Sequence, residues 1–190
     1  MSSYIDDQVA STPTPGEKHF PKFAVSPEIE ALADTRIAQY PADQKRSAVL
    51  PLLHIVQGRF GYICADAMIW VAGKLGIQPA DVLAVVSFYP GLRQTCPGKL
   101  HFRVCGTLSC AMAGAGEMVA KLCELAKIDR SKITRENPIA VSEDGMISVE
   151  FVECLAACGF GPVLLANEDL HEKVTAENVG DLLNRCSQNA

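Results

Sequence analysis

The spacing of apolar residues changes near position 95 of the chain. Before it, apolar side chains recur three and four positions apart, which places them on one face of an α-helix. After it, apolar and polar residues alternate in short runs, as in a β-strand, and these runs are interleaved with helical spacing. The pattern therefore predicts an α+β protein with a helical N-terminal region and a mixed C-terminal region.

Four short helices are predicted in the N-terminal region. Ser26 is a good N-cap and Pro27 suits the first helical turn, so the first helix begins there. Pro51 is expected to kink the second helix. The predicted bounds are residues 27–39, 43–58, about 68–76 and 79–89. Short connections between amphipathic helices are typical of a four-helix bundle.

The C-terminal region is predicted to alternate between strands and helices. The elements expected are a strand over 99–105, a helix from about 109 to 128, strands over 147–151, 163–166 and 170–174, and a last helix capped by Thr175. These strands and helices around a small sheet are the arrangement of a thioredoxin-like domain. The polar stretch around Asn137 and Pro138 is interpreted as a turn.

These patterns divide the chain into three parts. Residues 1–24 are rich in Ser, Thr, Pro and charge, and without a helical or strand period they indicate a disordered tail. Residues 25–95 form the predicted helical bundle, and residues 98–190 the predicted thioredoxin-like domain. The turn-rich stretch Pro90–Gly98 links the two.

Four of the eight cysteines form two close pairs, Cys105 with Cys110 and Cys154 with Cys158, and 43 residues separate the pairs. Four thiolates can hold one 2Fe-2S cluster, whereas structural zinc more often uses a Cys-x2-Cys knuckle. The spacings here are Cys-x4-Cys and Cys-x3-Cys, which favours iron–sulfur. A zinc-stabilised assembly module and a dithiol oxidoreductase stay open as alternatives, although the chain contains no Cys-x2-Cys.

Each cysteine pair follows a predicted strand, so we expect the two loops to meet at one edge of the sheet. Cys110 is predicted near the start of a helix, where the positive dipole end stabilises thiolates. Gly106 and Gly159 are expected to let backbone N–H groups approach the sulfurs closely. The sequence therefore predicts a cluster near the protein surface.

The remaining cysteines and the nearby polar residues are interpreted as structural. The cysteines outside the two pairs are Cys64, Cys96, Cys123 and Cys186. Cys123 and Cys186 lie on apolar helix faces, where cysteine is a small core residue. His101 is predicted to be isolated, and Glu150 and Glu153 are predicted to be solvated charges at a strand edge.

Composition and charge exclude several classes of function. The chain has 190 residues, 48% of them hydrophobic, and a net charge of -5, which gives no basic footprint for nucleic acid. No apolar run approaches the roughly 20 residues that span a bilayer. The acidic start resembles neither a secretory signal nor a transit peptide, so a cytoplasmic location is expected. No Gly-x-Gly-x-x-Gly fingerprint or catalytic constellation occurs, so no NADH site or catalytic residue is predicted on this chain.

Several motifs together carry a family resemblance. They are Cys105-x4-Cys110, Cys154-Leu-Ala-Ala-Cys158-Gly159, the run from Lys45 to His54, Gly61-Tyr62, and Val85-Val-Ser-Phe-Tyr89. Over about residues 26–186 the chain resembles the family of thioredoxin-like 2Fe-2S subunits of bacterial NADH:quinone oxidoreductase, respiratory complex I. The same family includes small subunits of NAD-linked hydrogenases and formate dehydrogenases.

The resemblance implies an electron-transfer subunit of an NADH dehydrogenase complex. It implies one 2Fe-2S cluster on Cys105, Cys110, Cys154 and Cys158, with FMN and NADH bound by a flavoprotein partner and further Fe-S subunits beside it. The complex would lie on the cytoplasmic side of the inner membrane, and the helical domain is the expected surface for the flavoprotein. The alternative is the equivalent subunit of a hydrogenase or formate dehydrogenase.

Overall fold

The computed structural model describes residues 20–134 and 137–188, which divide into two compact units. The first unit spans Phe20–Cys96, and the second begins at Pro97. Each unit has a hydrophobic core of its own. The predicted tail of residues 1–24 lies outside the described residues except for its last five, which belong to no helix or strand.

The described residues of the first unit contain four α-helices, as the apolar spacing predicted. They are α1 (Pro27–Ile37), α2 (Val49–Phe60), α3 (Ala65–Leu75) and α4 (Pro79–Phe88). Ser26 caps α1, because its Oγ accepts the N–H of Ile29 at 3.3 Å. The expected starts of α1 and α4 at Pro27 and Pro79 are confirmed.

Helix α2 begins later than predicted. A 3-10 turn over Lys45–Ala48 precedes it, so the α-helix begins at Val49 rather than at Asp43. Pro51 consequently falls in the first turn, where an N–H would have no partner within the helix. The mid-helix kink expected at this proline therefore does not arise.

Helices α2 and α3 each end at a glycine in the left-handed backbone conformation. Gly61, with φ 81°, follows α2, and its N–H bonds the carbonyl of Gln57 at 2.8 Å. The predicted end at Gly58 is wrong, because that glycine lies inside the helix. Gly76, with φ 65°, ends α3 as predicted, since glycine adopts this backbone conformation without a steric penalty.

An ionic cluster joins α1 to α3 at the edge of the helical core. Glu30 of α1 accepts hydrogen bonds from Trp70 Nε1 at 3.1 Å and from Lys74 Nζ at 2.6 Å. Lys74 also contacts Asp34, and hydrogen bonds to Asp34 and Glu30 raise the pKa of its ammonium group. Beneath this cluster, the fully buried side chains include Leu52, Leu53, Val56, Val71 and Val82.

The regular four-helix bundle predicted for this unit is not confirmed. Neighbouring helices of such a bundle lie within about 20° of antiparallel. Between α3 and α4 the chain instead bends by 118°. Among the described residues, no single helix is long and apolar enough to cross a membrane, and only this bent pair passes that test when taken together.

The second unit is built on a five-stranded mixed sheet. Its strands are β1 (Leu100–Cys105), β2 (Ile139–Val141), β3 (Ile147–Val152), β4 (Leu164–Ala166) and β5 (Asp169–His171), in the order β2-β3-β1-β4-β5. The central strands β1 and β3 are parallel, and the other neighbours are antiparallel. The predicted α+β class is therefore confirmed.

Two strands differ from the prediction. Strand β2 is only three residues long and follows the predicted turn at Pro138, so it offered too short an alternation to recognise. Strand β5 ends at His171, although the pattern continued to Val174. The turn between β4 and β5 is formed by Asn167 and Glu168, and Asn167 has a φ of 52° that asparagine tolerates.

Among the described residues, three α-helices accompany the sheet, namely α5 (Leu108–Met112), α6 (Ala115–Leu125) and α7 (Val179–Gln188). The single helix predicted over residues 109–128 is divided between α5 and α6 at Gly114, whose φ is 101°. The buried face of α6 packs on β1 and β3, while α7 packs on α6. Helix α7 begins after Thr175 by one turn, and its apolar face includes the predicted Val179, Leu182 and Leu183.

Both faces of the central strands are buried. Phe102, Val104 and Val149 are inaccessible to solvent and belong to the unit's hydrophobic core. His101 and Glu150 were predicted to be isolated or solvated, but they are only 4% and 6% exposed. The strand alternation alone could not show this, because it gives the two faces and not what covers each of them.

A network of hydrogen bonds on the face of the sheet that carries His101 and Glu150 explains how these two polar side chains are buried. His101 Nδ1 lies 2.7 Å from Ser148 Oγ, and His101 Nε2 lies 2.8 Å from Glu150 Oε2. Ser148 Oγ also accepts the N–H of Gly98 at 2.9 Å. The network joins β1 to β3 by side chains in addition to the backbone ladder, and the predictions for His101 and Glu150 are wrong for this reason.

Candidate metal centre

The ends of two parallel strands position the four paired cysteines. Cys105 is the last residue of β1, opposite Val152 at the end of β3. Cys110 lies in α5, just beyond the first loop. Cys154 and Cys158 follow the end of β3. Since parallel neighbours end at the same edge of a sheet, both loops leave the sheet together, as the sequence predicted.

The two pairs differ in their exposure to solvent. Cys105 and Cys110 are each 1% exposed and belong to the hydrophobic core of the unit. Cys154 and Cys158 are exposed. The arrangement therefore places one thiol pair on the inner side of the site and one on its outer side, which agrees with the predicted position near the surface.

Three of the sulfurs interact with one another. Cys110 lowers the pKa of Cys105, Cys105 raises the pKa of Cys110, and the Cys158 sulfur is near enough for its charge to raise the pKa of Cys110 as well. Cys154 lies four residues before Cys158 in the same segment. The loops thus bring the predicted ligands into one neighbourhood.

Backbone N–H groups point at three of the four sulfurs. Thr107 and Leu155 donate to Cys105, and Val163 donates to Cys110. The N–H of Ala156 lies 3.3 Å from Cys154 Sγ, and Ala156 has a φ of 57°, which is unusual for a residue with a side chain. Hydrogen bonds of this kind stabilise negative charge on sulfur.

The hydrogen bonds give the inner pair two different acidities. Burial disfavours ionisation of Cys105, but hydrogen bonds from the hydroxyl and N–H of Thr107 outweigh it, so the pKa of this thiol lies below its ordinary value. Burial raises the pKa of Cys110, and the Cys105 and Cys158 sulfurs raise it further. Cys105 is therefore the more acidic member of the inner pair.

Gly106 acts differently from the prediction. The N–H of Gly106 bonds the carbonyl of Val152 at 2.9 Å instead of a sulfur, and a Cβ at Gly106 would lie 3.1 Å from the Phe151 ring. Gly159 has open space around it. A Cβ at Gly161 would lie 3.5 Å from Cys110 Sγ. Close packing of strands and loops, rather than N–H donation, accounts for Gly106.

The short length of α5 also changes the expected electrostatics. A five-residue helix has few aligned peptide dipoles, so the expected dipole effect at Cys110 is small. Individual N–H and hydroxyl donors stabilise the sulfurs instead, and none of them was predicted: Thr107, Leu155, Val163 and Ala156. The sequence did contain one indication of a donor to sulfur, namely the hydroxyl of Thr107 inside the Cys-x4-Cys loop. The backbone conformation that turns the N–H of Ala156 towards Cys154 has no such indication in the sequence.

The donor set fits a 2Fe-2S cluster. Each iron of such a cluster takes two protein thiolates, so the four sulfurs spread over two metal ions. A structural zinc ion instead gathers four ligands around one point. Two spaced thiol pairs with N–H donors match the cluster better than zinc.

The four other cysteines lie apart from this chemistry. Cys96 and Cys123 are buried, whereas Cys64 and Cys186 are half-buried. Burial raises the pKa of Cys64, Cys123 and Cys186, which keeps these thiols protonated. The interpretation of Cys123 and Cys186 as packing residues is supported by their places on α6 and α7.

Comparison with known proteins identifies a family and several relatives. The model of the thioredoxin-like [2Fe-2S] ferredoxin family matches residues 33–187. NADH-quinone oxidoreductase subunit 2 of Thermus thermophilus is 37% identical over 147 residues, which are 77% of each chain. An NADH-quinone oxidoreductase subunit of Rhizobium meliloti is 35% identical over 164 residues.

The extent of the match differs among the relatives. The alignment covers 86% of this chain but 57% of the Rhizobium protein. It covers 82% of this chain but 58% of an NADH-quinone oxidoreductase subunit of Mycobacterium tuberculosis, to which this chain is 32% identical. The chain therefore spans less than two thirds of these two relatives.

A solved structure also resembles the fold. The NAD+-reducing [NiFe]-hydrogenase in its H2-reduced state aligns with a TM-score of 0.60 and 20% identity, over 75% of this chain and 22% of the hydrogenase chain. At that level of identity the similarity concerns the fold alone.

Proposed function

The chain belongs to the thioredoxin-like [2Fe-2S] ferredoxin family, and from this premise we propose that it is the electron-transfer subunit of an NADH:quinone oxidoreductase. In this role it exchanges single electrons between FMN on a flavoprotein partner and its own cluster. The observation that carries the proposal is the meeting of two cysteine loops at one edge of the sheet. Cys105, Cys110, Cys154 and Cys158 are the proposed ligands.

The residues around the site suit a one-electron centre. When bound, a 2Fe-2S cluster accepts and releases one electron at a time. The inner cysteines anchor the site in the core, and the N–H groups of Thr107, Leu155 and Val163 stabilise negative charge on their sulfurs. The exposed Cys154 and Cys158 keep the outer side of the site within reach of a partner.

Apolar side chains beside the ligands favour a protein partner at this edge. Leu108 and Met112 of α5 are 74% and 81% exposed, and Phe160, two residues after Cys158, is 49% exposed. Apolar groups grouped on a surface are typical of interaction sites. The exposed side chains of Leu108, Met112 and Phe160 are therefore a proposed contact for the flavoprotein. Further Fe-S subunits complete the proposed complex.

The helical unit provides a second candidate surface for the flavoprotein. Phe88, at the end of α4, is 76% exposed, and its ring packs edge-to-face on Tyr89 with 5.1 Å between centroids. Exposed aromatic pairs often act as binding anchors. We retain the division into a tail (1–24), a helical bundle domain (25–95) and a cluster domain (98–190), with the helical domain serving this contact.

The assembly would place the chain on the cytoplasmic side of the inner membrane, attached through its partners. The equivalent subunit of an NAD-linked hydrogenase or formate dehydrogenase would use the same site chemistry. Identities of 32–37% to oxidoreductase subunits favour the quinone-reducing complex. A zinc-stabilised assembly module is the candidate of a different class, and the Cys-x4-Cys and Cys-x3-Cys spacings argue against it.

Reduction of the cluster by NADH tests whether this chain needs the flavoprotein partner to accept electrons. NADH gives up two electrons as a hydride, and the sequence contains no nucleotide fingerprint. NADH alone should therefore leave the cluster absorbance of the anaerobic, flavin-free chain unchanged, and adding the flavoprotein should allow NADH to bleach it. Rapid bleaching by NADH alone would contradict the proposal, and a colourless, zinc-loaded chain would establish the assembly module instead.

A further inference from the structure

The side chain of Thr107 points at a cysteine sulfur instead of capping its helix. Thr107 is the N-cap residue of α5, where a threonine hydroxyl ordinarily accepts an N–H of the first turn. Here the hydroxyl makes no capping bond. Thr107 Oγ1 lies 3.1 Å from Cys105 Sγ. Helix capping therefore does not account for the position of this hydroxyl.

The direction of this hydrogen bond follows from the chemistry of metal-bound cysteine. In a free thiol, either the hydroxyl or the sulfur can donate. A cysteine that binds iron has lost its proton, so its sulfur can only accept. The hydroxyl of Thr107 must then donate to Cys105 Sγ, and the partly buried setting of this contact strengthens the bond relative to water.

We propose that Thr107 is a positioning residue whose hydroxyl raises the reduction potential of the cluster through Cys105. Reduction adds negative charge to the centre, and a donor aimed at a ligand sulfur stabilises the reduced state more than the oxidised state. The inference rests on the proposed function, since it requires a cluster on Cys105. It assigns part of the reduction potential of the cluster to one side chain, that of Thr107, which can be replaced by mutation.

The hydroxyl can be removed without disturbing the other donors. The N–H of Thr107 also bonds Cys105, and it persists when the side chain is changed. Thr107→Val replaces the hydroxyl by a methyl group of similar size. Thr107→Ser keeps the hydroxyl and removes the methyl group. Ser109→Ala removes an exposed hydroxyl in the same segment that has no described hydrogen bond to a sulfur.

The test is an anaerobic redox titration of the full chain with its cluster, followed by the EPR signal of the reduced state. Thr107→Val should shift the midpoint to a more negative potential. At the wild-type midpoint, its reduced-to-oxidised ratio should fall by up to about tenfold, which corresponds to about 59 mV for a one-electron centre. Thr107→Ser and Ser109→Ala should titrate like the wild type.

Several results would overturn the inference. A wild-type midpoint in Thr107→Val with full iron content would do so, as would an equal shift in Thr107→Ser or Ser109→Ala. If the valine variant loses iron, the redox midpoint of Thr107→Ala is judged in the same way, because alanine removes the hydroxyl without placing a methyl group against the sulfur. A wild-type chain without iron or an EPR signal would instead refute the proposed function, so the two failures are distinguishable.

Discussion

At the scale of single residues, the four cysteines of the site are not equivalent. Cys105 and Cys110 are buried among apolar side chains, whereas Cys154 and Cys158 are exposed. The inner pair is held by the core of the unit, and the outer pair depends on a loop for its position. All four are nevertheless needed if each iron takes two thiolates.

Replacing any one of the four cysteines by serine should abolish or severely destabilise the cluster. A hydroxyl is a poor ligand for iron compared with a thiolate. The expected result for Cys105→Ser, Cys110→Ser, Cys154→Ser and Cys158→Ser is loss of the visible absorbance and of bound iron. Iron and sulfide analysis of anaerobically purified protein measures it.

Serine at a cysteine outside the site provides the matched control. Cys64 and Cys186 are the best positions, because they are only half-buried and the change perturbs packing least. Their variants should retain the cluster spectrum. Loss of iron at Cys64, Cys96, Cys123 or Cys186 would show that the ligands are assigned wrongly.

The buried network of His101 supports a separate prediction on stability. His101→Leu removes one partner of the buried Glu150 carboxylate and of Ser148, which should cost about 2–4 kcal/mol in the free energy of unfolding. Urea denaturation measures it. Glu153→Gln changes an exposed carboxylate just beyond the end of β3 and should be neutral within about 0.5 kcal/mol. Equal stability of His101→Leu and the wild type would contradict this role.

At the scale of elements, the sequence predicted what depends on local pattern. The four N-terminal helices, strand β1 and the buried face of α7 followed from the spacing of apolar residues. The division at Gly114, the three-residue β2 and the burial of His101 did not, because each depends on contacts between distant segments. The same limit applies to the site, where cysteine spacing predicted the thiols but not the donor Ala156.

Gly98 is required for the close approach of the chain entering β1 to strand β3. A Cβ at this position would lie 2.5 Å from the carbonyl carbon of Ile147, and backbone cannot yield as a flexible side chain can. Gly98→Ala should therefore lower the free energy of unfolding by about 1–3 kcal/mol. Chemical denaturation of the apo chain measures the change independently of the cluster.

Gly58→Ala is the matched control for this substitution. Gly58 lies inside α2, is exposed, and has nothing within 4 Å of the added methyl group. Because alanine is the better helix former, this variant should gain about 0.5–1 kcal/mol. Opposite signs for the two glycine substitutions are the expected outcome, and a loss of stability in both would show that steric conflict with β3 is not the cause at Gly98.

At the scale of the whole molecule, family membership predicted from the motifs is confirmed by the match over residues 33–187. The fold class and the family could be predicted because the cysteine spacing and the succession of strand and helix patterns along the chain are both local signals that agree with one another. The packing of the four N-terminal helices could not be predicted, because amphipathic spacing predicts helices and buried faces but not the angles at which helices cross.

The second unit should fold and hold the cluster without the first. All four proposed ligands lie in the unit that begins at Pro97, and this unit has its own continuous core. A fragment of residues 97–190 should therefore show the cluster absorbance and EPR spectrum of the full chain. Iron content and circular dichroism measure this outcome, with Cys105→Ser in the same fragment as the control.

Failure of that fragment would be informative in a specific way. If it folds without iron, a residue before Pro97 contributes to the site, and the ligand assignment is incomplete. If it does not fold, the two units depend on each other for stability and do not act as separate domains.

The parallel pairing of β1 and β3 also sets an order of events during synthesis. A ribosome completes Cys105 and Cys110 first and must add 43 further residues before Cys154 emerges. Strand β1 cannot gain its parallel neighbour until then, because the neighbour lies across the long crossover through α5 and α6. Metal bound by the first cysteine pair alone would have only half of its ligands. The complete cluster can therefore bind only after β3 has paired with β1 and both cysteine loops are in place.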